Sequence, residues 1–198
     1  MKSKKFEKCF CIGSNKTGTT SLTKAMAKFN VKICPERDSY VLWRSLNKSR
    51  KNVISSEWRY LIEKYFFFQD LPFCYSDIYK ELEKNIKKSC FILITRDSEE
   101  WFNSIERWCA THGKSYYDVY EKIWNIEINN KNKQEIIEKY EKRNNQIQEY
   151  FQNKDNLLIS DIKDMSYEKI TQFLQTDDKI GDTFPWENKN YFGEKDEQ

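Results

Sequence analysis

The sequence predicts an α/β fold in which a parallel sheet is flanked by helices. Strand-like and helix-like segments alternate along the 198 residues, which is the pattern of parallel strands joined by crossover helices. Residues 90–95 form a continuous apolar run, typical of a central strand covered on both faces. Residues 6–12 form a second apolar strand that runs into a glycine-bearing loop and then a helix. The length suits one domain over residues 1–198.

The spacing of apolar residues predicts the other elements. Helical spacing predicts helices that begin at Thr19 and Asp97 and helices over residues 38–49, 56–66, 76–87, 115–128 and 133–151. Short apolar runs predict further strands at residues 31–34, 66–68 and 157–160. Ser166 is the predicted N-cap of a last helix. Residues 111–150 are the best candidate for a mainly helical insertion.

Composition excludes several classes of protein. With Lys+Arg 34 against Asp+Glu 31, the net charge is only +3. This balance gives no support for a nucleic-acid binder, which would usually have a clustered basic face, so we expect no nucleic-acid partner. No apolar run approaches the ~20 residues needed to span a bilayer, and the N-terminus does not resemble a signal peptide. We therefore expect a cytoplasmic protein without a membrane partner.

The cysteines do not form a metal-binding or disulfide pattern. None of the six occurs in a C-x-x-C motif, and His112 is the only histidine, so we expect no metal site. In a reducing compartment, small buried residues are the simpler interpretation.

The loop from Gly13 to Ser21 carries most of the functional information. Backbone amides of such a loop, together with the N-terminus of the following helix, form a concave anion site. Gly13 and Gly18 permit tight turning. The loop also supplies hydroxyl groups from Thr17, Thr19, Thr20 and Ser21. A plain strand-to-helix turn would account equally well for this loop if it stood alone.

The loop departs from the ATP-binding motif at one decisive position. That motif places lysine directly after the second glycine, where this chain has Thr19. Its lysine, Lys16, lies inside the loop, before Gly18. A divergent kinase or NTPase is an alternative, but this chain lacks the phosphate-binding lysine that such an enzyme needs after the second glycine. Its metal-binding aspartate would have to be Asp97, which follows Arg96, whose charge competes with a cation.

Two motifs together resemble the sulfotransferases that use the nucleotide PAPS. The run Lys16–Leu22 after a strand resembles their 5'-phosphosulfate loop. Arg96 at a strand end, with Ser104 eight residues later, resembles their 3'-phosphate motif, although Ser98 stands where proline is usual. Weaker similarity extends toward the C-terminus through residues 140–151, 157–161, 173–174 and 184–188.

The resemblance implies a three-layer, P-loop-like α/β fold and transfer of a sulfuryl group from PAPS, with release of PAP. The acceptor would be a hydroxyl or amine of a small molecule or glycan, and no metal would take part. The resemblance assigns nucleotide binding to Asn15, Lys16, Thr17, Gly18, Thr19, Thr20, Ser21, Arg96 and Ser104. It gives Lys16 the catalytic role of a cation beside the bridging oxygen. A non-catalytic protein of the same fold, binding a nucleotide or a partner, is a further alternative.

The family commonly places a general base between the two phosphate motifs, next to a Leu-Pro or similar turn. Asp70, in Gln69-Asp70-Leu71-Pro72, is the leading candidate, although an aspartate can equally cap such a turn. Glu57 and His112 are the other candidates. A solvated carboxylate in the first turn of a helix is the simpler interpretation of Glu57, and a helix C-cap is that of His112.

Other polar and aromatic residues have structural alternatives. Arg96 could form an ion pair with Asp97 or Glu100. The tryptophans Trp101 and Trp108 are expected in the helix core rather than as base-stacking platforms. Packing is likewise the simpler interpretation of a later aromatic group that could instead line an acceptor pocket, namely Tyr116, Tyr117, Tyr120 and Trp124.

Overall fold

The computed structural model describes residues 5–49, 55–75 and 77–186 of the chain. Within these ranges the sheet has four strands, all parallel, in the order β2-β1-β3-β4. The strands are β1 (Lys8–Cys11), β2 (Phe67–Phe68), β3 (Ser89–Thr95) and β4 (Leu157–Asp161). Because the strands are parallel, their carboxyl ends meet along one edge of the sheet, which is where α/β proteins bind ligands.

Helices follow or precede each strand. They are α1 (Thr19–Ala27), α2 (Glu36–Ser49), α3 (Ser56–Lys64), α4 (Ile78–Asn85), α5 (Ser98–His112), α6 (Lys114–Trp124), α7 (Lys133–Phe151) and α8 (Tyr167–Leu174). A 3₁₀ turn, Ile162–Asp164, follows β4. Side-chain N-caps fix three helix starts: Ser55, Asp97 and Ser166 each accept a hydrogen bond from a backbone N–H three residues later.

Alternation along the strands divides the core into two layers. Phe10 and Phe91 pack with α2, α3, α4 and α7 on one face. Cys11 and Ile92, the next residues on the same strands, pack with α1 and α8 on the other. Since successive strand residues point to opposite faces, one sheet fills both cores. The three-layer α/β fold is therefore confirmed.

A third hydrophobic cluster joins α5, α6 and α7. At its centre the Trp101 ring stacks on Tyr140, with 4.0 Å between centroids and 16° between planes. The helices of the predicted insertion, residues 111–150, thus pack on α5. That these residues form an insertion, and that residues 1–198 form one domain, both stay predictions.

Several boundaries of helices and strands differ from those predicted, and local backbone conformation explains the differences. The strand predicted at residues 31–34 was wrong: the segment makes an isolated bridge between Ile33 and Phe67, and Pro35, which has no N–H, follows at once. The helix predicted over 115–128 ends at Trp124, because Asn125 adopts a left-handed conformation with φ 51°. The helix predicted over 56–66 ends at Lys64, because Tyr65 is extended and leads into β2.

The six cysteines are all buried and unpaired, as the sequence predicted for small core residues. Within the described ranges, no helix combines the length and apolarity needed to cross a membrane.

Candidate active site

A cleft of about 680 Å³ lies at the carboxyl ends of the strands. Ligand sites in proteins typically have volumes of about 300–1,000 Å³. The cleft lining includes every residue that the sequence assigned to nucleotide binding. It also includes Asp70, the leading candidate for the general base. The fold therefore brings together residues from the β1 loop, the end of β2, the end of β3 and helix α5.

The loop between β1 and α1 presents the N-terminus of α1 to the cleft. Gly18 occupies the N-cap position in a left-handed conformation, φ 108°, and no side chain caps the helix. The N–H groups in the first turn of a helix lack intrahelical partners, so they are suited to bind an anion. A Cβ atom at Gly18 would lie 2.5 Å from Ile162 Cδ1. Glycine is thus required here for both conformation and space.

At least two of the four loop hydroxyl groups form hydrogen bonds within the protein. The Thr17 hydroxyl donates to the Ser14 carbonyl at 2.7 Å, and the Thr19 hydroxyl donates to Asp70 Oδ1 at 3.1 Å. That all four hydroxyls serve as donors to an anion stays a prediction. Thr20 and Ser21 also line the cleft.

Lys16 lies in the loop with a left-handed backbone, φ 68°. Its Nζ sits 3.7 Å from the centre of the Trp108 ring, within the range of a cation–π interaction. Among the described residues, no carboxylate forms an ion pair with this ammonium group. Burial lowers the pKa of Lys16, and the charge of Arg96 adds to this effect, whereas Asp70 opposes it. The ammonium is thus a partly desolvated cation at the cleft.

Arg96 follows β3 and connects several parts of the site. Its Nη1 donates to the carbonyl of Lys16 at 3.4 Å, and its Nε lies 3.3 Å from Glu100 Oε2. Glu100 also pairs with Lys163 at 2.7 Å. Arg96 therefore lines the cleft and also forms the ion pair with Glu100 that was its structural alternative. The Tyr140 hydroxyl binds both the N–H and the carbonyl of Arg96, each at 3.1 Å.

Asp70 follows the edge strand β2 and lies opposite the loop. Its Oδ1 accepts hydrogen bonds from Asn15 Nδ2 at 2.9 Å and from the Thr19 hydroxyl. Among the described residues, its Oδ2 has no hydrogen-bond partner. Burial raises the pKa of Asp70 and the Glu36 charge adds to the rise, whereas the Thr19 and Asn15 hydrogen bonds and Lys16 oppose it. Hydrogen bonds to Oδ1 therefore hold this carboxylate in place, and Oδ2 is the oxygen that could accept a proton.

Asn15 connects the loop to its surroundings. Besides its bond to Asp70, its Oδ1 accepts from the Cys74 thiol at 3.0 Å, and its backbone carbonyl accepts from Trp101 Nε1 at 3.0 Å. Both polar atoms of the Asn15 side chain are therefore engaged by protein groups. This gives Asn15 a positioning role between the loop and Asp70.

Comparison with known families identifies the group to which this fold and cleft belong. Residues 8–191 match the sequence profile of the family described as sulfotransferase domain. The chain belongs to this sulfotransferase family. A search of curated proteins finds no significant match. Membership in the family confirms the resemblance on which the assignments of Lys16, Arg96 and Ser104 rest, although the roles of individual residues stay predictions.

The two other base candidates of the sulfotransferase domain lie outside the cleft lining. Glu57 is exposed in the first turn of α3. His112 is exposed at the end of α5, where its ring stacks on Trp108 and its Nδ1 lies 2.9 Å from the Trp108 carbonyl oxygen. The position of Glu57 matches its structural interpretation, whereas His112 is the last residue of α5 and the C-cap is Gly113.

Sequence reasoning missed part of the cleft wall. Trp108 was assigned to the core, but it lies in the cleft against Lys16. The signal was present, since Ser104 and Trp108 are four residues apart and share one helix face. Of the later aromatic group, Tyr116 and Tyr120 line the cleft. Tyr120 also packs in the third cluster, together with Tyr117 and Trp124.

Arg143 was not singled out from the sequence either. This residue of α7 donates from Nη1 to the carbonyl of Ile12 at 3.0 Å, directly before the loop. Its Nε and Nη2 are buried and have no partner in the described part of the chain. Arg143 therefore fixes the end of β1 from behind the site.

Proposed function

We propose that this sulfotransferase-family protein transfers a sulfuryl group from PAPS to a hydroxyl or amine acceptor and releases PAP. One observation carries the proposal: Lys16 and the open N-terminus of α1 share a single cleft with Arg96 and Ser104. A 3',5'-bisphosphate nucleotide carries two phosphate groups, and these two elements would provide one anion-binding site for each of them.

The donor groups of the cleft fit this nucleotide. Backbone N–H groups at the start of α1 would hold the 5'-phosphate, because an uncapped helix N-terminus favours anions. Arg96 and Ser104 would hold the 3'-phosphate, for which a guanidinium and a hydroxyl are suitable donors. When bound, PAPS supplies an activated sulfuryl group attached to a phosphate leaving group.

The protein's own residues then supply charge and proton transfer. Lys16 would stabilise the negative charge that develops on the leaving phosphate oxygen, as preorganised cations do in related transfers. Asp70 would accept the proton of the acceptor through Oδ2. Asn15 and Thr19 would keep the carboxylate in position through Oδ1. The reaction therefore needs positioning and electrostatics rather than a covalent intermediate on the protein.

The kinase alternative is weaker at the two positions where it can be examined. Thr19 occupies the position of the phosphate lysine, and Asp97, the candidate metal ligand, is the N-cap of α5. The Asp97 carboxylate accepts from the Glu100 N–H at 2.9 Å, and Asp97 is not part of the cleft lining. A cytoplasmic location, consistent with six unpaired cysteines, belongs to the same proposal.

Side-by-side calorimetric titration with PAP, 5'-AMP and magnesium ATP tests the proposal. We expect tight PAP binding, much weaker 5'-AMP binding and no requirement for magnesium. Preference for magnesium ATP would contradict the proposal and favour a kinase. Binding of none of the three would favour a protein without nucleotide-dependent activity.

A further inference from the structure

The two anion-binding elements of the cleft stand at the ends of neighbouring strands. The loop from Gly13 to Ser21, called the phosphate loop below, follows β1, and Arg96 follows β3. These two strands pair in parallel. A nucleotide with a 3'- and a 5'-phosphate must reach both elements at once. Its affinity therefore depends on how firmly the two strand ends are held relative to each other.

Helix α7 contacts both strand ends through one face. Tyr140 and Arg143 are three residues apart, so they are neighbours on the helix surface. The Tyr140 hydroxyl binds the N–H and the carbonyl of Arg96, each at 3.1 Å. Arg143 Nη1 donates to the Ile12 carbonyl at 3.0 Å. One helix therefore contacts the backbone at the start of each of the two phosphate motifs.

The Arg143 guanidinium lies behind the phosphate loop rather than in the cleft. Arg143 is not part of the cleft lining. Burial raises the pKa of the Cys11 and Cys74 thiols, the Asp70 charge adds to the rise, and the Arg143 charge opposes it. The Cys74 thiol in turn donates to Asn15 of the loop at 3.0 Å. Arg143 is thus close to the site, and its influence on a nucleotide must pass through the protein.

Packing alone does not account for an arginine at this position. Its Nε and Nη2 are buried and have no hydrogen-bond partner within the described ranges, and no carboxylate there forms an ion pair with it. A buried cation without a counterion costs stability, and an apolar side chain of similar volume is often tolerated at least as well. Buried polar groups left unsatisfied in a native protein call for an explanation. A positive charge next to an anion site has the sign that favours binding.

We infer that Arg143 is a positioning residue for the phosphate loop, and that Arg143 and Tyr140 together make α7 a clamp that sets the distance between the two phosphate sites. This inference rests on the proposed binding of PAPS. Arg143 acts on the 5'-phosphate site, because it holds the carbonyl directly before the loop. Tyr140 acts on the 3'-phosphate site, because it holds the backbone of Arg96. The two residues therefore differ in which ligands they affect.

Calorimetric titration of the full chain with PAP and with 5'-AMP tests the inference. The Arg143→Met variant keeps most of the side-chain volume but loses the charge and the donors. It should weaken both ligands by the same factor, about tenfold, because both carry the 5'-phosphate. The number of binding sites should stay unchanged. A merely structural role would instead lower the number of sites, through loss of folded protein, and leave the Kd of the remaining sites as it was.

The Arg143→Lys variant separates charge and hydrogen bonding from packing. It keeps a positive charge and a donor, so its affinities should lie between those of Arg143→Met and the wild type. Equal losses in the two variants would overturn the inference. If Arg143→Met does not fold, Arg143→Lys decides alone. Equal weakening of PAP and 5'-AMP then supports the inference, and wild-type binding overturns it.

The Arg107→Met variant is the matched control. Arg107 is exposed on α5 outside the cleft lining, and its Nε also donates to a backbone carbonyl, that of Asn103, at 3.1 Å. This variant should bind both ligands as the wild type does. Unchanged Kd values in Arg143→Met, or a loss confined to PAP, would overturn the inference while the proposed function stands. Failure of the wild type to bind PAP would overturn both.

Discussion

Asp70 has opposite effects on catalysis and stability. Its pKa is raised by burial and by the Glu36 charge, so the folded state binds its proton more tightly than the unfolded state does. A raised pKa means that its contribution to stability is greatest at low pH and is lost as pH rises through the folded-state pKa. At neutral pH the ionised carboxylate therefore destabilises the fold, while ionisation is what a general base requires.

The Asp70→Asn variant should be slower and at least as stable. Turnover should fall about 10²- to 10⁴-fold, the usual contribution of a general base, with little change in PAP affinity. The free energy of unfolding from denaturant titration should match or exceed that of the wild type at pH 7. The difference should shrink as the pH falls through the folded-state pKa of Asp70. Unchanged turnover would send the search for a base elsewhere.

Lys16 should be essential for transfer and dispensable for folding. Its Nζ contacts the Trp108 ring and forms no ion pair within the described ranges, so its removal costs the core little. The Lys16→Ala variant should lose about 10²- to 10³-fold in the rate of PAP release from PAPS, with a near-native unfolding transition. Lys24→Ala, an exposed lysine of α1 outside the cleft lining, is the control. Wild-type turnover in Lys16→Ala would remove Lys16 from the mechanism.

Single residues differed in how readily the sequence revealed them. Lys16, Arg96 and Ser104 could be recognised because each stands at a fixed distance from a strand end in a local motif. Glu36 could not, because it reaches the cleft only through packing of α2, which no local spacing encodes. Asp70 was intermediate: its position between the motifs pointed to it, but its bonds to Asn15 and Thr19 are tertiary.

Packing between the β1 loop and the 3₁₀ turn after β4 sets the shape of the anion site. A Cβ atom at Gly18 would meet Ile162 and would require a strained positive φ. The Gly18→Ala variant should lose about 1–3 kcal/mol of stability and most of its PAP affinity. The Gly113→Ala variant has the same strain of a positive φ, but the space around that position is open. It should therefore keep its PAP affinity. Equal PAP binding by the two variants would contradict the packing argument.

Helix α7 positions Arg96 through one phenol. The Tyr140 hydroxyl binds both backbone polar groups of Arg96, so the Tyr140→Phe variant should leave them unpaired. We expect a loss of about 1–3 kcal/mol in the free energy of unfolding and a larger loss in affinity for PAP than for 5'-AMP. Tyr150→Phe removes a comparable phenolic bond, to Glu83 at 3.1 Å, away from the cleft. That control should leave both affinities unchanged.

At the level of elements, strong local signals gave the helices with clear caps and the buried central strand. Ser166 was predicted as an N-cap and Asp97 as the start of a helix, and both residues cap their helices. Boundaries were wrong where backbone conformation decided them, as at Asn125 in its left-handed turn. The segment at residues 31–34 was apolar enough for a strand but forms an isolated bridge beside the short edge strand β2.

For the whole molecule, alternation of strands and helices was sufficient to predict the architecture, because a parallel sheet covered on both faces is its usual solution. Family membership over residues 8–191 agrees with that architecture. The third cluster, which joins α5, α6 and α7, could not be foreseen. It depends on which faces of separate helices meet, and it places Tyr120 in the wall of the cleft.

The most direct test of the central claim is the ratio of PAP affinity to 5'-AMP affinity in the wild type and in Arg96→Ala, by calorimetry. The two ligands differ only in the 3'-phosphate, so the ratio isolates recognition of that group. Loss of a charged hydrogen bond costs about 1.5–3 kcal/mol, so the ratio should fall about 10- to 100-fold in the variant. An equal loss of affinity for both ligands would contradict the assignment of Arg96 and, with it, the reading of this cleft as a PAPS site.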